Sequence, residues 1–277
     1  MSRREKTWWW IAGAVILLYC LFPIAWIISL SFKGPADIAN HQFLPTSPTG
    51  ENYSTILTGS ASDLFLPALR NSFGICLIAT FISCILAMFA AYAIARLDFP
   101  GKKLILSTAL VVAIFPVISI VTPLFNLWRQ IGLYDTWLAL IIPYLSLTLP
   151  ISIWTMSAFF REIPWEMEQA AQVDGATTWQ AFRKVIVPLA APGVFTAAIL
   201  TFIFAWNDFL FANTLTSTDK ARTVPATLAF FTGGSQFEDP TGITAAAAVV
   251  VTIPVVVLVL LFQRRIVAGL TNGAVKG

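Results

Sequence analysis

Residues 245–262 read AAAAVVVTIPVVVLVLLF, a run with no charged residue in it. A helix crosses the hydrocarbon core of a bilayer with roughly 20 mostly apolar residues, rising about 1.5 Å at each. This run has that character, and five other stretches share it: Trp8–Leu30, Asn71–Ala95, Leu104–Leu127, Trp137–Phe160 and Leu189–Ala212. Of the 277 residues 57% are hydrophobic and 11% charged, with a mean hydropathy of +0.79. A soluble domain is about 25% charged. So few ions cannot solvate the exterior of a water-soluble fold of this size, which excludes a cytosolic enzyme, a disordered chain and a disulfide scaffold. A net charge of +3, dispersed along the chain, does not point to nucleic acid. The expectation is an all-α membrane protein with six transmembrane helices. Residues 1–277 form one transmembrane domain in this reading, because the longest loop, Ser31–Arg70, is too short to fold unaided.

Arg3, Arg4 and Lys6 ahead of an apolar run also describe a signal peptide. The run is too long for a signal core and no small-residue cleavage site follows, so a retained anchor is expected. Counting Lys and Arg on alternate sides of the spans gives twelve on the side of the termini and five on the other. The positive-inside rule then puts both termini in the cytoplasm. Trp8–Trp10, Trp128 and Trp137 fall at span ends, where aromatic belts form. Ala87, Ala91 and Ala95 recur every four residues, so one face of the second helix can approach a neighbour closely. Pro116, Pro123, Pro143, Pro150 and Pro254 each remove a backbone donor and favour a kink.

Catalytic chemistry is missing. The single histidine, His41, lies in a polar loop with no companion for a triad or a metal site. Cys76 and Cys84 lie about 12 Å apart along one helix, too far for a disulfide, and with Cys20 read as small hydrophobes. Gly101-Lys102 has Arg96 where a phosphate-binding loop needs its first glycine, so no nucleotide or metal site is expected on this chain. Ionisable groups are nearly absent from the spans. One exception is Asp208, which follows Asn207 near the end of the fifth span; it reads either as a pathway residue or as a charge at the interface. A stand-alone secondary transporter of a small polar solute is the alternative function, but it usually needs such charges as relays. The energy for transport is expected from another subunit.

The loop between the fourth and fifth spans, 161–188, reads REIPWEMEQAAQVDGATTWQAFRKVIVP. Pro164 suits a first helical position, and Glu166 and Glu168 suit the positive end of a helix dipole. Gly175 can end one helix and redirect the chain. Beyond it Trp179, Phe182, Val185, Ile186 and Leu189 recur at helical spacing, giving an amphipathic helix. The residues alone fit both a helix lying on the bilayer and a docking elbow for a cytoplasmic partner.

This loop resembles the EAA loop of importer-type ABC permeases: Glu-Ala-Ala, three residues, Gly, nine residues, Ile, one residue, Leu-Pro. Here the pattern is met by Gln169-Ala170-Ala171, Gly175, Val185 and Val187-Pro188, with Gln for Glu and two valines for Ile and Leu. AWNDFLFA at 205–212 and FQRRIVAGLTNGAVKG at 262–277 are similar to the maltose-transporter-type carbohydrate importer permeases, and the likeness runs over the whole chain. The resemblance implies a type I ABC importer permease fold with a cytoplasmic coupling helix, in a bacterial plasma membrane. It implies a sugar as cargo, and the trehalose-importing members are most alike. Implied partners are a second homologous permease, two ATPase subunits carrying ATP and magnesium, and an extracytoplasmic sugar-binding lipoprotein. Glu168, Gln169, Ala170, Ala171, Asp174 and Gly175 would contact the ATPase. So would the tail Gly273, Ala274, Val275, Lys276 and Gly277. Asn207 and Asp208 are the candidate pathway residues, and the loop holding Gly233, Gly234 and Gly242 resembles one that reaches toward the binding protein.

Overall fold

The computed structural model describes residues 2–231 and 240–272, and every regular element among them is helical. The tail Gly273–Gly277 and the loop residues Gly233 and Gly234 lie outside the described residues. The chain forms two compact units, Met1–Leu69 with Thr227–Pro254, and Arg70–Ala226 with Val255–Gly277.

In the first unit, α1 (Arg3–Ser31) opens on a capping box in which Ser2 and Glu5 satisfy each other's backbone N–H. None of its apolar window is buried within the chain. A long helix that is apolar all round and leaves that surface uncovered by its own chain has lipid or another protein as its surroundings. Its end is dressed by α2 (Pro35–Ala39) and α3 (Glu51–Leu57). Asn52 of α3 donates to the carbonyls of Ser31 and Lys33 at 3.0 and 2.8 Å, groups a helix end leaves without partners. Lys33 is itself buried, donates to the Gln42 carbonyl and lies 5.1 Å over the Trp26 ring.

In the second unit, the part of α4 (Ser62–Arg96) beyond Leu69 packs with α7 (Trp137–Glu162) and α11 (Ala191–Trp206). Ala87 and Ala91 are fully buried against Met156, Phe160 and Ala197, and Ala95 packs on the same cluster, so the alanine face predicted from spacing is the contact face. Two predicted spans are not single helices. The third divides into α5 (Lys102–Ala113) and α6 (Val117–Ile131), bent by 87°. Pro116 lacks the N–H that would continue the ladder and forces Phe115 out of helical geometry. The fifth begins after a 71° bend at Ala190 and ends at Trp206; Leu210–Leu215 is a separate helix, α12. Among the described residues four helices are long and apolar enough to cross a membrane, and up to six spans result if each bent pair counts as one.

At the end of the unit away from the 161–188 loop, the segment 216–223 is held by side chains from α4, α7 and the turn between α6 and α7. Asn71 donates to the carbonyls of Asp219 and Arg222 at 2.7 and 3.1 Å and accepts from Trp137 Nε1 at 3.1 Å. Asp135 accepts the N–H groups of Ser217 and Thr218 at 2.8 and 3.1 Å and the Thr218 hydroxyl at 2.6 Å. Partial burial works against ionisation of Asp135, but these donors and nearby Lys220 hold its carboxyl below the ordinary carboxylate range.

Two outcomes follow from this packing. A Cβ on Gly74 would lie 2.3 Å from the Trp137 ring, which is pinned by its hydrogen bonds to Asn71 and Lys220. Gly74→Ala is therefore expected to destabilise by about 1–3 kcal/mol, read as a lower thermal midpoint in detergent. For Asp135 the depressed folded pKa means stability present above the unfolded value of about 4 and lost as pH falls through the folded one. Asp135→Asn keeps one acceptor oxygen at a site partly open to solvent, so it should cost about 0.5–1.5 kcal/mol at neutral pH. The gap from wild type should close only in acid; a gap independent of pH would remove the carboxylate's charge from the account.

Candidate functional site

The 161–188 loop folds into two short helices that meet at a glycine. The first, α8 (Trp165–Val173), starts one residue later than the sequence predicts, because Pro164 is extended and serves as N-cap. Its end is a Schellman turn: Ala176 N–H bonds the Ala171 carbonyl at 2.9 Å and Gly175 N–H bonds the Gln172 carbonyl at 3.0 Å. That turn needs a left-handed residue, and Gly175 sits at φ +89°. The chain then enters α9 (Thr178–Ala181) through a capping box between Thr177 and Gln180.

After Ala181 the helix widens into a π-turn over Phe182–Ile186 before α10 (Val187–Leu189). Pro188 has no N–H for the carbonyl four residues back, and its ring crowds that carbonyl. The widened turn shifts the register of the buried stripe. Ala181, Phe182, Ile186 and Ala190 face the core, whereas Trp179 and Leu189 are about half exposed. This corrects the stripe predicted from α-helical spacing.

Five of the six elbow residues singled out by sequence lie where a partner can reach them: Gln169, Ala170, Asp174 and Gly175 are exposed and Ala171 is half-buried. With Met167 and Val173, also exposed, they form a ridge in which small and apolar side chains alternate with Gln169 and Asp174. Beside it lies a groove of about 410 Å³ between Phe159, Ile163, Met167 and Leu189. Glu168 departs from expectation. Its side chain is 2% exposed and turned toward α4, accepting from the Tyr92 hydroxyl at 2.5 Å and facing Arg96. It has no surface left for a partner. Arg96 and Tyr92 were not singled out by sequence, although their four-residue spacing puts both on one face of α4.

The two pathway candidates separate in the same way. Asp208 accepts the Tyr144 hydroxyl at 2.8 Å and the N–H groups of Phe211 and Ala212 at 3.3 and 3.0 Å. Its carboxylate caps α12 where the fifth span breaks, and is turned inward. Asn207 is exposed and bonds only its own helix, at the Ile203 carbonyl, 2.8 Å away. Asn71, another polar group within a span, is taken up by the 216–223 segment. Among the described residues no three His, Cys, Asp or Glu side chains gather in one place.

Residues 83–272 match the family described as binding-protein-dependent transport system inner membrane component. The chain is 57% identical over 277 residues to the trehalose transport system permease protein SugB of Mycobacterium tuberculosis, covering 100% of both. It is 40% identical over 269 residues to the sulfoquinovosyl glycerol transport system permease protein SmoH of Agrobacterium fabrum, covering 96% of this chain and 93% of the other. Its fold matches a chain of a bacterial ABC transporter involved in the import of the acidic polysaccharide alginate. The TM-score there is 0.77 at 24% identity, over 95% of this chain and 98% of that one. The architecture is the type I importer permease fold.

The cap at Asp208 yields a stability test. Tyr144→Phe removes a hydrogen bond to a half-buried carboxylate and should cost about 1.5–3 kcal/mol. Asn207→Ala, at an exposed site, should stay within about 0.5 kcal/mol of wild type. Equal thermal midpoints for the two variants would contradict the cap.

Proposed function

The chain belongs to the family of binding-protein-dependent transport system inner membrane components, and we propose that it translocates a disaccharide such as trehalose as one permease of an ATP-driven importer. The observation that carries this reading is the elbow. The ridge Gln169–Gly175 stands exposed on a turn whose backbone is closed by its own hydrogen bonds. A neighbouring groove offers an apolar seat for a protein. Such a ridge can be pushed as a body. Gln169 carries no charge, so shape and apolar contact govern its docking, and Glu168 acts from behind the surface rather than on it.

In this assembly both termini are cytoplasmic, in line with the Lys and Arg balance, and the elbow faces the ATPase subunits. ATP and magnesium belong to those subunits, and the tail Gly273–Gly277 approaches them as well. A second, related permease covers apolar surface that this chain leaves bare, α1 included. An extracytoplasmic sugar-binding lipoprotein delivers the cargo. A neutral sugar asks for hydrogen bonds and aromatic faces instead of a relay of charge. That fits spans whose polar groups, Asp208 and Asn71 among them, are occupied within the fold.

Nothing lies within 4 Å of a Cβ built on Gly175, so a side chain there starts in open space, and its cost is the strain of the left-handed turn. Gly175→Trp should insert into the membrane normally while sugar uptake in proteoliposomes of the whole complex falls about tenfold or more. Unchanged uptake would count against docking at the elbow. Uptake by the purified chain alone, abolished by collapsing an ion gradient, would favour a secondary transporter instead. For the cargo, a sugar at 100 times its Kd stabilises its binding protein by about 2.7 kcal/mol. A thermal-shift panel on the partner lipoprotein should single out trehalose.

A further inference from the structure

We propose that Arg96 and Glu168 form a buried latch that carries displacement of the elbow into α4, making both of them positioning residues for transport. The inference rests on the reading that an ATPase docks at the elbow. It begins with burial: the two side chains are 3% and 2% exposed, although Arg96 ends a helix and Glu168 sits in a nine-residue surface helix. Charges withdrawn from water at the surface of a protein need a reason, because their desolvation is costly and apolar replacements would stabilise as well or better.

The guanidinium is where three elements meet. It belongs to α4, donates through Nη2 to the Ile163 carbonyl at the junction of α7 and α8 (2.7 Å), and lies 4.9 Å over the Trp165 ring at the start of α8. Glu168 reaches back to the same helix through Tyr92. The second half of the elbow grips α4 too, with Phe182 4.7 Å from the Tyr92 ring and Trp179 stacked 6.1 Å from Phe89. An aromatic contact of this kind can slide, whereas a forked cation held by a carbonyl and a carboxylate resists movement in defined directions.

The pair is also not fully closed. Arg96 Nε and Glu168 Oε2 face each other at 3.8 Å, and neither makes a hydrogen bond. A charge-assisted bond closes at about 2.7–2.9 Å, so about 1 Å of travel separates this arrangement from a tighter one. Movement of α8 toward α4 would close that gap.

The test uses the assembled transporter in proteoliposomes, with sugar uptake and ATP hydrolysis measured on the same vesicles. Glu168→Gln keeps a group for Tyr92 and removes the charge. Arg96→Met/Glu168→Gln removes both charges, so that no ion is left buried and unpaired. A cysteine placed at Ala170 reports docking by crosslinking to the ATPase. The double variant is expected to assemble and crosslink like wild type while sugar moved per ATP falls about tenfold. If the double variant restores wild-type uptake per ATP, the pair serves folding alone and the latch is overturned. Loss of crosslinking in the double variant, with wild type crosslinked, would also overturn it, by showing that the pair merely shapes the elbow. A wild-type complex giving no crosslink at Ala170 would overturn docking itself, and the latch with it.

Discussion

A peptide group in hydrocarbon has no water to bond, so each N–H and C=O within a bilayer must find its partner inside the protein. Helices and closed barrels meet that constraint; among the described residues every regular element is a helix, and every interruption of one is a place where a side chain must act. The fifth span stops at Trp206, and the N–H groups of the next helix are met by the Asp208 carboxylate, itself held by Tyr144. The end of α1 exposes carbonyls, and Asn52 donates to two of them. Polar residues in an apolar sequence invite a reading as a transport route, but here several of them complete the backbone.

The same reasoning explains the elbow. A chain that leaves one helix and enters another must supply the groups each helix end lacks, and the loop does so with a Schellman turn at Gly175 and a capping box at Thr177. Once its backbone is self-sufficient, the elbow can present small side chains outward without strain. What fixes it to the second unit is on its inner side: Phe182 and Ile186 in the alanine-faced core, and Glu168 toward Arg96. The outer surface is left for a partner while the inner surface determines where the partner's force goes.

Much of this was legible in the residues. Four-residue spacing exposed the Ala87, Ala91 and Ala95 face because small side chains at helical period have few other uses in a membrane. Pro116 marked the third span for a kink, and the structure makes it a break of 87°. Gly175 was readable as a turn because only glycine takes that backbone conformation without cost. The register of the amphipathic stripe was not readable past Phe182, since a π-turn adds a residue that no α-helical template anticipates. Arg96 and Lys33 entered the count of Lys and Arg on the two sides of the spans, yet both are buried, and a charge count carries no information about partners distant in sequence.

The sequence by itself determined the solvent, the helical class, the number of apolar stretches and the family of transport subunits. The first three follow from composition and local pattern, which need no neighbour to be read, and the family from the resemblance of the 161–188 loop and the flanking stretches to importer permeases. Only the tertiary structure decided which way Glu168 and Asp208 point. A carboxylate's role depends on the donors around it, and Tyr92, Arg96 and Tyr144 come from helices 64 to 76 residues away along the chain. Folding brings those donors within hydrogen-bonding or ion-pairing distance, so that Glu168 turns inward to Tyr92 and Arg96, and Asp208 caps the helix that follows it.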